Sequence, residues 1–125
     1  MKKVSEFKWK RQSATTGKWS WLDQNNLRGY DCKIVYLEGY KINDEYCGFL
    51  SNVSKGRTSL DNSNQWQVFF IASGGSVAFK RKFDFYDVEN AKKFFEILFC
   101  EVMLTDKYQD IRQRILDLGK LEKIS

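Results

Sequence analysis

The chain has no histidine and no proline, and it carries only three cysteines among 125 residues. It also lacks any apolar run long enough to cross a bilayer. Each of these absences excludes something. Without histidine there is no Ser-His-Asp or Cys-His nucleophile system, no imidazole general base and no His-containing zinc site. Cys32, Cys47 and Cys100 are odd in number and form no C-x-x-C pair, so they read as reduced, buried thiols and not as a secreted disulfide framework. The N-terminal Met-Lys-Lys-Val-Ser-Glu-Phe-Lys-Trp-Lys has charge but no apolar core, which argues against a signal peptide and for a cytoplasmic protein. The longest uncharged stretch, Asn62 to Phe79, is half Asn, Gln, Ser and Gly and cannot span a membrane.

What is present is aromatic and basic. Aromatic residues make up 16% of the chain and the formal charge is +5. At this length a single domain, residues 1–125, can bury about two-thirds of the surface its unfolded chain would expose. Disulfides and metals are not required for folding.

Apolar periodicity divides the chain in two. Phe7, Trp9 and Arg11 alternate with Lys8 and Lys10, residues 13–17 supply turn chemistry, and Lys18-Trp19-Ser20-Trp21 alternates again, which predicts a hairpin. Tyr30 to Leu37, with Cys32, Ile34 and Tyr36 on one face and Val35 and Leu37 on the other, and Tyr46 to Val53 predict two further strands. Ser54 to Gln65 reads as a polar loop, and Trp66–Ala72, a Gly74-Gly75 turn and Val77–Phe85 as a second hairpin.

The last third is helical. Asp87 is a good N-cap, and Ala91, Phe95, Leu98 and Val102 follow Val88 at helical spacing. Asp106-x-x-Gln109 resembles a capping box opening a second helix that carries Ile111, Ile115, Leu118 and Leu121 and ends at Gly119. The expected fold is α+β: an antiparallel sheet of about five or six strands, ordered hairpin, two strands, hairpin, packed against two C-terminal helices.

Charge is distributed unevenly. Residues 1–20 hold six Lys or Arg against Glu6, residues 65–84 hold Lys80-Arg81-Lys82 against Asp84, and the remaining two segments are each slightly acidic. Strand alternation puts Lys8, Lys10, Lys80 and Lys82 on the face opposite the apolar rows. This face has two readings. It is an anion-binding surface, with Trp9, Trp19 or Trp21 stacking bases and lysines tracking phosphates, or it is a solvated sheet face whose lysines discourage edge pairing. The candidate binding set is Lys8, Trp9, Lys10, Arg11, Lys18, Trp19, Lys55, Arg57, Lys80 and Lys82.

Two carboxylates could do acid/base or metal chemistry without histidine. Asp23 and Asp31-Cys32-Lys33 offer a faint, short-spaced version of an Asp…Asp-x-Lys nuclease layout; Asn43-Asp44-Glu45 and Asp61-Asn62-Ser63-Asn64 read as turns. No phosphate-cradling glycine loop is present. The expectation is a non-enzyme with no cofactor, no metal site and no membrane partner.

The segment from Trp66-Gln67-Val68-Phe69-Phe70 through Phe83-Asp84-Phe85-Tyr86-Asp87-Val88-Glu89-Asn90-Ala91-Lys92-Lys93-Phe94-Phe95-Glu96 resembles the tail of small accessory proteins of phages and mobile elements: a Trp-bearing strand, a return strand, and an acidic cap before an Ala-Lys helix. It covers about a quarter of the chain. The resemblance implies a non-catalytic inhibitor of the anti-CRISPR or counter-defence kind, engaging a host nucleic-acid-processing protein or its nucleic acid. The alternative is a direct nucleic-acid-binding domain that uses the basic-aromatic sheet face.

Overall fold

The computed structural model describes residues 3–11, 29–52, 65–73, 76–84 and 87–124. Strands β1 (Ser5–Arg11), β2 (Gly29–Leu37), β4 (Tyr46–Asn52), β5 (Gln65–Ser73) and β6 (Ser76–Asp84) form one antiparallel sheet in the order β1-β2-β4-β5-β6. A second, two-stranded sheet pairs β3 (Tyr40–Ile42) with β7 (Leu121–Lys123). Helices α1 (Val88–Leu104) and α2 (Gln109–Asp117) follow the main sheet in the chain. The architecture is α+β.

Register fixes which side chains share a face. Trp9 pairs with Cys32, Cys32 with Gly48, Gly48 with Phe70 and Phe70 with Phe79, so these positions form one row across all five strands. That row faces α1. Phe7 meets Phe99 edge-on at 5.9 Å between ring centroids, Trp9 meets Phe95 at 5.0 Å, and Phe70 meets both Phe95 (4.8 Å) and Phe99 (5.1 Å). At the far edge Phe83 meets Phe94 at 4.4 Å. The edge-on contacts made by Phe7, Trp9 and Phe70 suit the aromatic quadrupole, adding about 0.5–1.5 kcal/mol each to the gain from burial.

Gly48 lies beneath the Phe95 ring of α1. Its φ is +151°, and a Cβ there would overlap the Phe69 carbonyl oxygen and come within 2.9 Å of the Phe95 ring. The missing side chain is what lets Phe95 descend onto the sheet.

Helix α1 starts as the sequence predicts. The Asp87 carboxylate accepts from the Asn90 amide at 2.8 Å. Helix α2 does not. Tyr108, which has no side-chain cap bond, precedes its first residue, and Asp106 instead receives Arg112 at 3.3 Å. The four residues after Leu104 make the corner between helices: Thr105 donates its amide to the Glu101 carbonyl, and Arg112 also donates to the Thr105 carbonyl at 3.0 Å. The carboxylate read as a cap is thereby committed to a side chain one turn into the helix.

Gly119, at φ +78°, ends α2 with its amide on the Leu116 carbonyl at 3.0 Å. Beyond it Leu121, expected on the helical stripe, is a strand residue that pairs with Ile42 and is buried. Strand β7 also holds β3 beneath α1, where the Tyr40 hydroxyl donates to the Met103 carbonyl at 2.7 Å.

Strand β1 pairs with β2. Its expected partner at residues 18–21 lies outside the described residues, as do Lys55, Arg57 and most of the polar loop. Gln65, placed in that loop by sequence, opens β5.

Candidate anion-binding face

The side of the sheet turned away from α1 carries the basic residues. In register, Lys8 stands directly opposite Lys33 and Lys10 opposite Asp31. Directly opposed side chains on one face have Cβ atoms about 4.5–5.5 Å apart and diagonal ones about 7–8 Å, so Lys8, Lys10 and Lys33 form a compact triangle. All three are exposed. Placing two lysines opposite one another works against pairing of the strands, because like charges there repel.

Neutralising partners are found elsewhere. Ion pairs join Lys3 to Glu6, Lys92 to Glu89, Lys107 to Glu101, Arg112 to Asp106 and Lys120 to Asp44. Among the described residues Lys8, Lys10 and Lys33 hold no such pair. The nearest carboxylate along β1 is Glu6, and its acidity shows where its charge is spent. A 2.6 Å hydrogen bond from Lys3, then the Lys3 charge, hold its carboxyl below the ordinary range, and Lys8 contributes a smaller share. Asp31 is nearly buried, on the same face, between Lys10 and Phe49 in register.

An aromatic ring joins this cluster through a β-bulge. The β1–β2 register shifts between Glu6 and Phe7, so that Ile34 pairs with Phe7 and Tyr36 with Glu6. The extra residue, Val35, reverses the alternation. Tyr36, assigned by strict alternation to the face of Cys32 and Ile34, is therefore 40% exposed on the lysine side, and Leu37 takes the buried position at 0%. The sequence reading of this strand is corrected at these two residues.

The remaining candidates divide. Arg11 is exposed at the end of β1 but belongs to the α1-facing row. Trp9 also belongs to that row, with its indole N–H donating to Glu96 at 2.7 Å and the Lys92 ammonium 6.0 Å from its ring. A base stacked on Trp9 would lie on the opposite side of the sheet from Lys8 and Lys10. Lys80 is exposed on the lysine face, but on β6, the other end of the sheet, and at about 4.8 Å per strand it stands about 19 Å from Lys10. Lys82 lies on β6 opposite Gln67 in register. Lys18, Trp19, Lys55 and Arg57 lie outside the described residues.

Between the two basic ends, Phe49 and Phe69 stack face to face at 4.2 Å with Tyr46 beside them. The single expected basic face is thus two separated sites, a three-lysine cluster on β1 and β2 and Lys80 at the far edge. Lys33 and Tyr36 are the members that the binding set omitted. Lys33 is signalled only by its alternation with the apolar Cys32 and Ile34, and its position beside Lys8 depends on the β1–β2 pairing.

The cysteines are free. Cys32 and Cys47 are buried, with the Cys47 thiol donating to the Cys32 carbonyl at 3.5 Å; burial, then the Cys47 thiol, raise the Cys32 pKa far above its ordinary value. Cys100 is half-buried and raised by burial as well. Raised values describe unreactive thiols. Among the described residues no group of three or more Cys, Asp or Glu side chains gathers as a metal site, and no helix is long and apolar enough to cross a membrane. Compared with known protein families, with curated proteins and with solved structures, the chain matches none.

Proposed function

We propose that this chain is a non-catalytic nucleic-acid-binding protein that holds a single strand against β1 and β2, with Lys8, Lys10 and Lys33 on phosphates and Tyr36 under a base. The observation that carries the reading is the triangle of three lysines, without an ion pair among the described residues, next to an exposed tyrosine on one face of two adjacent strands. Opposed lysines weaken the sheet slightly, and a polyanion removes that repulsion on binding. Sequence-tolerant single-strand binders combine these two elements, a cationic track and a ring for stacking.

The resemblance to phage accessory proteins supports a neighbouring reading, an inhibitor in which the same face meets a host nucleic-acid-processing protein. Pull-down from host lysate with and without nuclease separates the two. Capture that disappears with nuclease supports direct binding, and capture that persists supports the inhibitor.

The direct test is fluorescence anisotropy of an unstructured labelled oligonucleotide across a salt series. Three phosphate contacts give log K against log salt a slope of about −2 for a single strand. Tyr36→Ala weakens binding by about 1–3 kcal/mol, and Tyr36→Phe keeps it. Absence of retention at low salt overturns the proposal.

A further inference from the structure

The outer side of α1 carries apolar residues where a solvated helix would be polar. Ile97 is 60% exposed and Leu104 37%, and with Val4, 46% exposed at the start of β1, they border a groove of about 440 Å³ that Cys100 and Ser5 also line. Large apolar side chains scattered singly on a surface need no explanation. Here three of them share one groove.

Helix geometry shows what fits there. At 100° per residue, Asn90, Lys93, Glu101 and Leu104 all lie within about 40° of Ile97, so they form one strip along the helix. Lys93 is exposed and, among the described residues, has no ion-pair partner; Glu101 touches Lys107 at 3.3 Å across an exposed pair. In this strip the cation comes four residues before Ile97 and the carboxylate four residues after it. If a second copy of α1 lies antiparallel with Ile97 on the two-fold axis, Lys93 of each copy meets Glu101 of the other. Both pairs form at once, as an isologous contact requires. A parallel arrangement opposes like charges instead.

We infer that the outer face of α1 is a homodimer interface, with Ile97 packing on its counterpart, Val4 and Leu104 flanking it, and reciprocal Lys93–Glu101 pairs fixing the register. Exposed pairs of this kind set orientation more than affinity, and the apolar contact supplies most of the attraction. A patch this small gives a weak dimer, populated in the micromolar range or above. The contact lies on the opposite side of the main sheet from Lys8, Lys10 and Lys33. Dimerisation therefore leaves both lysine clusters uncovered.

Sedimentation equilibrium of the full chain without nucleic acid tests the inference. The wild type is expected to rise with concentration from the 14.8 kDa of one copy towards twice that mass. Ile97→Glu abolishes the rise and leaves the far-UV circular dichroism unchanged. Lys93→Glu weakens association several-fold, and adding Glu101→Lys restores it. A wild type that stays at single-copy mass at every concentration, an Ile97→Glu variant that dimerises as well as the wild type, or a double variant that fails to recover overturns the inference. Because no nucleic acid is present, none of these outcomes depends on the proposed function.

Discussion

On the α1 side of the five-stranded sheet Phe70, Phe95 and Phe99 are fully buried and Phe70 meets the other two edge-on, whereas on the other side Lys8, Lys10, Lys33 and Tyr36 of the adjacent β1 and β2 stand in water. The same strands build both surfaces, one residue out of phase. The covered face gains stability from close packing. The open face holds like charges next to each other at a small cost to stability, a repulsion that the proposed anionic partner would relieve on binding.

Substitutions should separate the two faces by magnitude. Phe70→Ala removes a ring that touches Phe79, Phe95 and Phe99, and is expected to cost about 3–5 kcal/mol in urea unfolding. Gly48→Ala forces a Cβ into the Phe69 carbonyl and the Phe95 ring at a backbone angle that suits glycine, with an expected loss of about 2–4 kcal/mol by the same measurement. Asp87→Ala removes the α1 cap and should cost about 1 kcal/mol, which Asp87→Asn or Asp87→Ser largely avoids. On the open face Lys33→Ala is expected to fall within about 0.5 kcal/mol of wild type. A large loss there, or a small loss at Phe70, would break the distinction.

Titration gives a check of its own. No histidine is present to change charge between about pH 5 and 8, so stability should be nearly flat there. Raised thiols and phenols occur on both sides: the Cys32 and Cys100 thiols, ordinarily 9.0, and the Tyr40 phenol, ordinarily 10.0, on the covered side, and the Tyr46 phenol beside Phe49 and Phe69 on the other, all raised chiefly by burial. A raised value means that the folded protein keeps the proton where the unfolded chain gives it up. Stability from these groups is whole below pH 9 and is lost as pH rises above it. Urea midpoints measured from pH 7 to 11 should show a plateau followed by a fall, with the same onset in Lys8→Glu and Lys33→Glu variants as in wild type.

How much of this can be read without coordinates follows from how local each feature is. The second hairpin, the Asp87 cap and the Gly119 stop depend on residues within a few positions of one another, and each is readable from spacing. The pairing of β3 with β7 joins three-residue strands about eighty positions apart, too short to show a period, so Leu121 passes for a helical residue. Asp106 has the spacing of a cap, but Arg112 competes for its carboxylate and is seen only in three dimensions. At the candidate site, Lys8 and Lys10 are visible as an alternating row. Lys33 becomes their neighbour only through the β1–β2 register, and one inserted residue at Val35 moves Tyr36 to the opposite face from the one alternation assigns. Lys80 shares the face of Lys10, as alternation predicts, but strand order separates them by three intervening strands.

The central claim is that anion binding resides in the β1–β2 cluster and not in the positive charge of the chain as a whole. The most direct test compares two charge-matched triple variants by oligonucleotide anisotropy over a salt series: Lys8→Glu, Lys10→Glu and Lys33→Glu together, against Lys41→Glu, Arg114→Glu and Lys123→Glu together. The account predicts that the first set loses nearly all salt-dependent binding and that the second keeps a slope near the wild-type value of about −2. Equal losses in the two sets would contradict it.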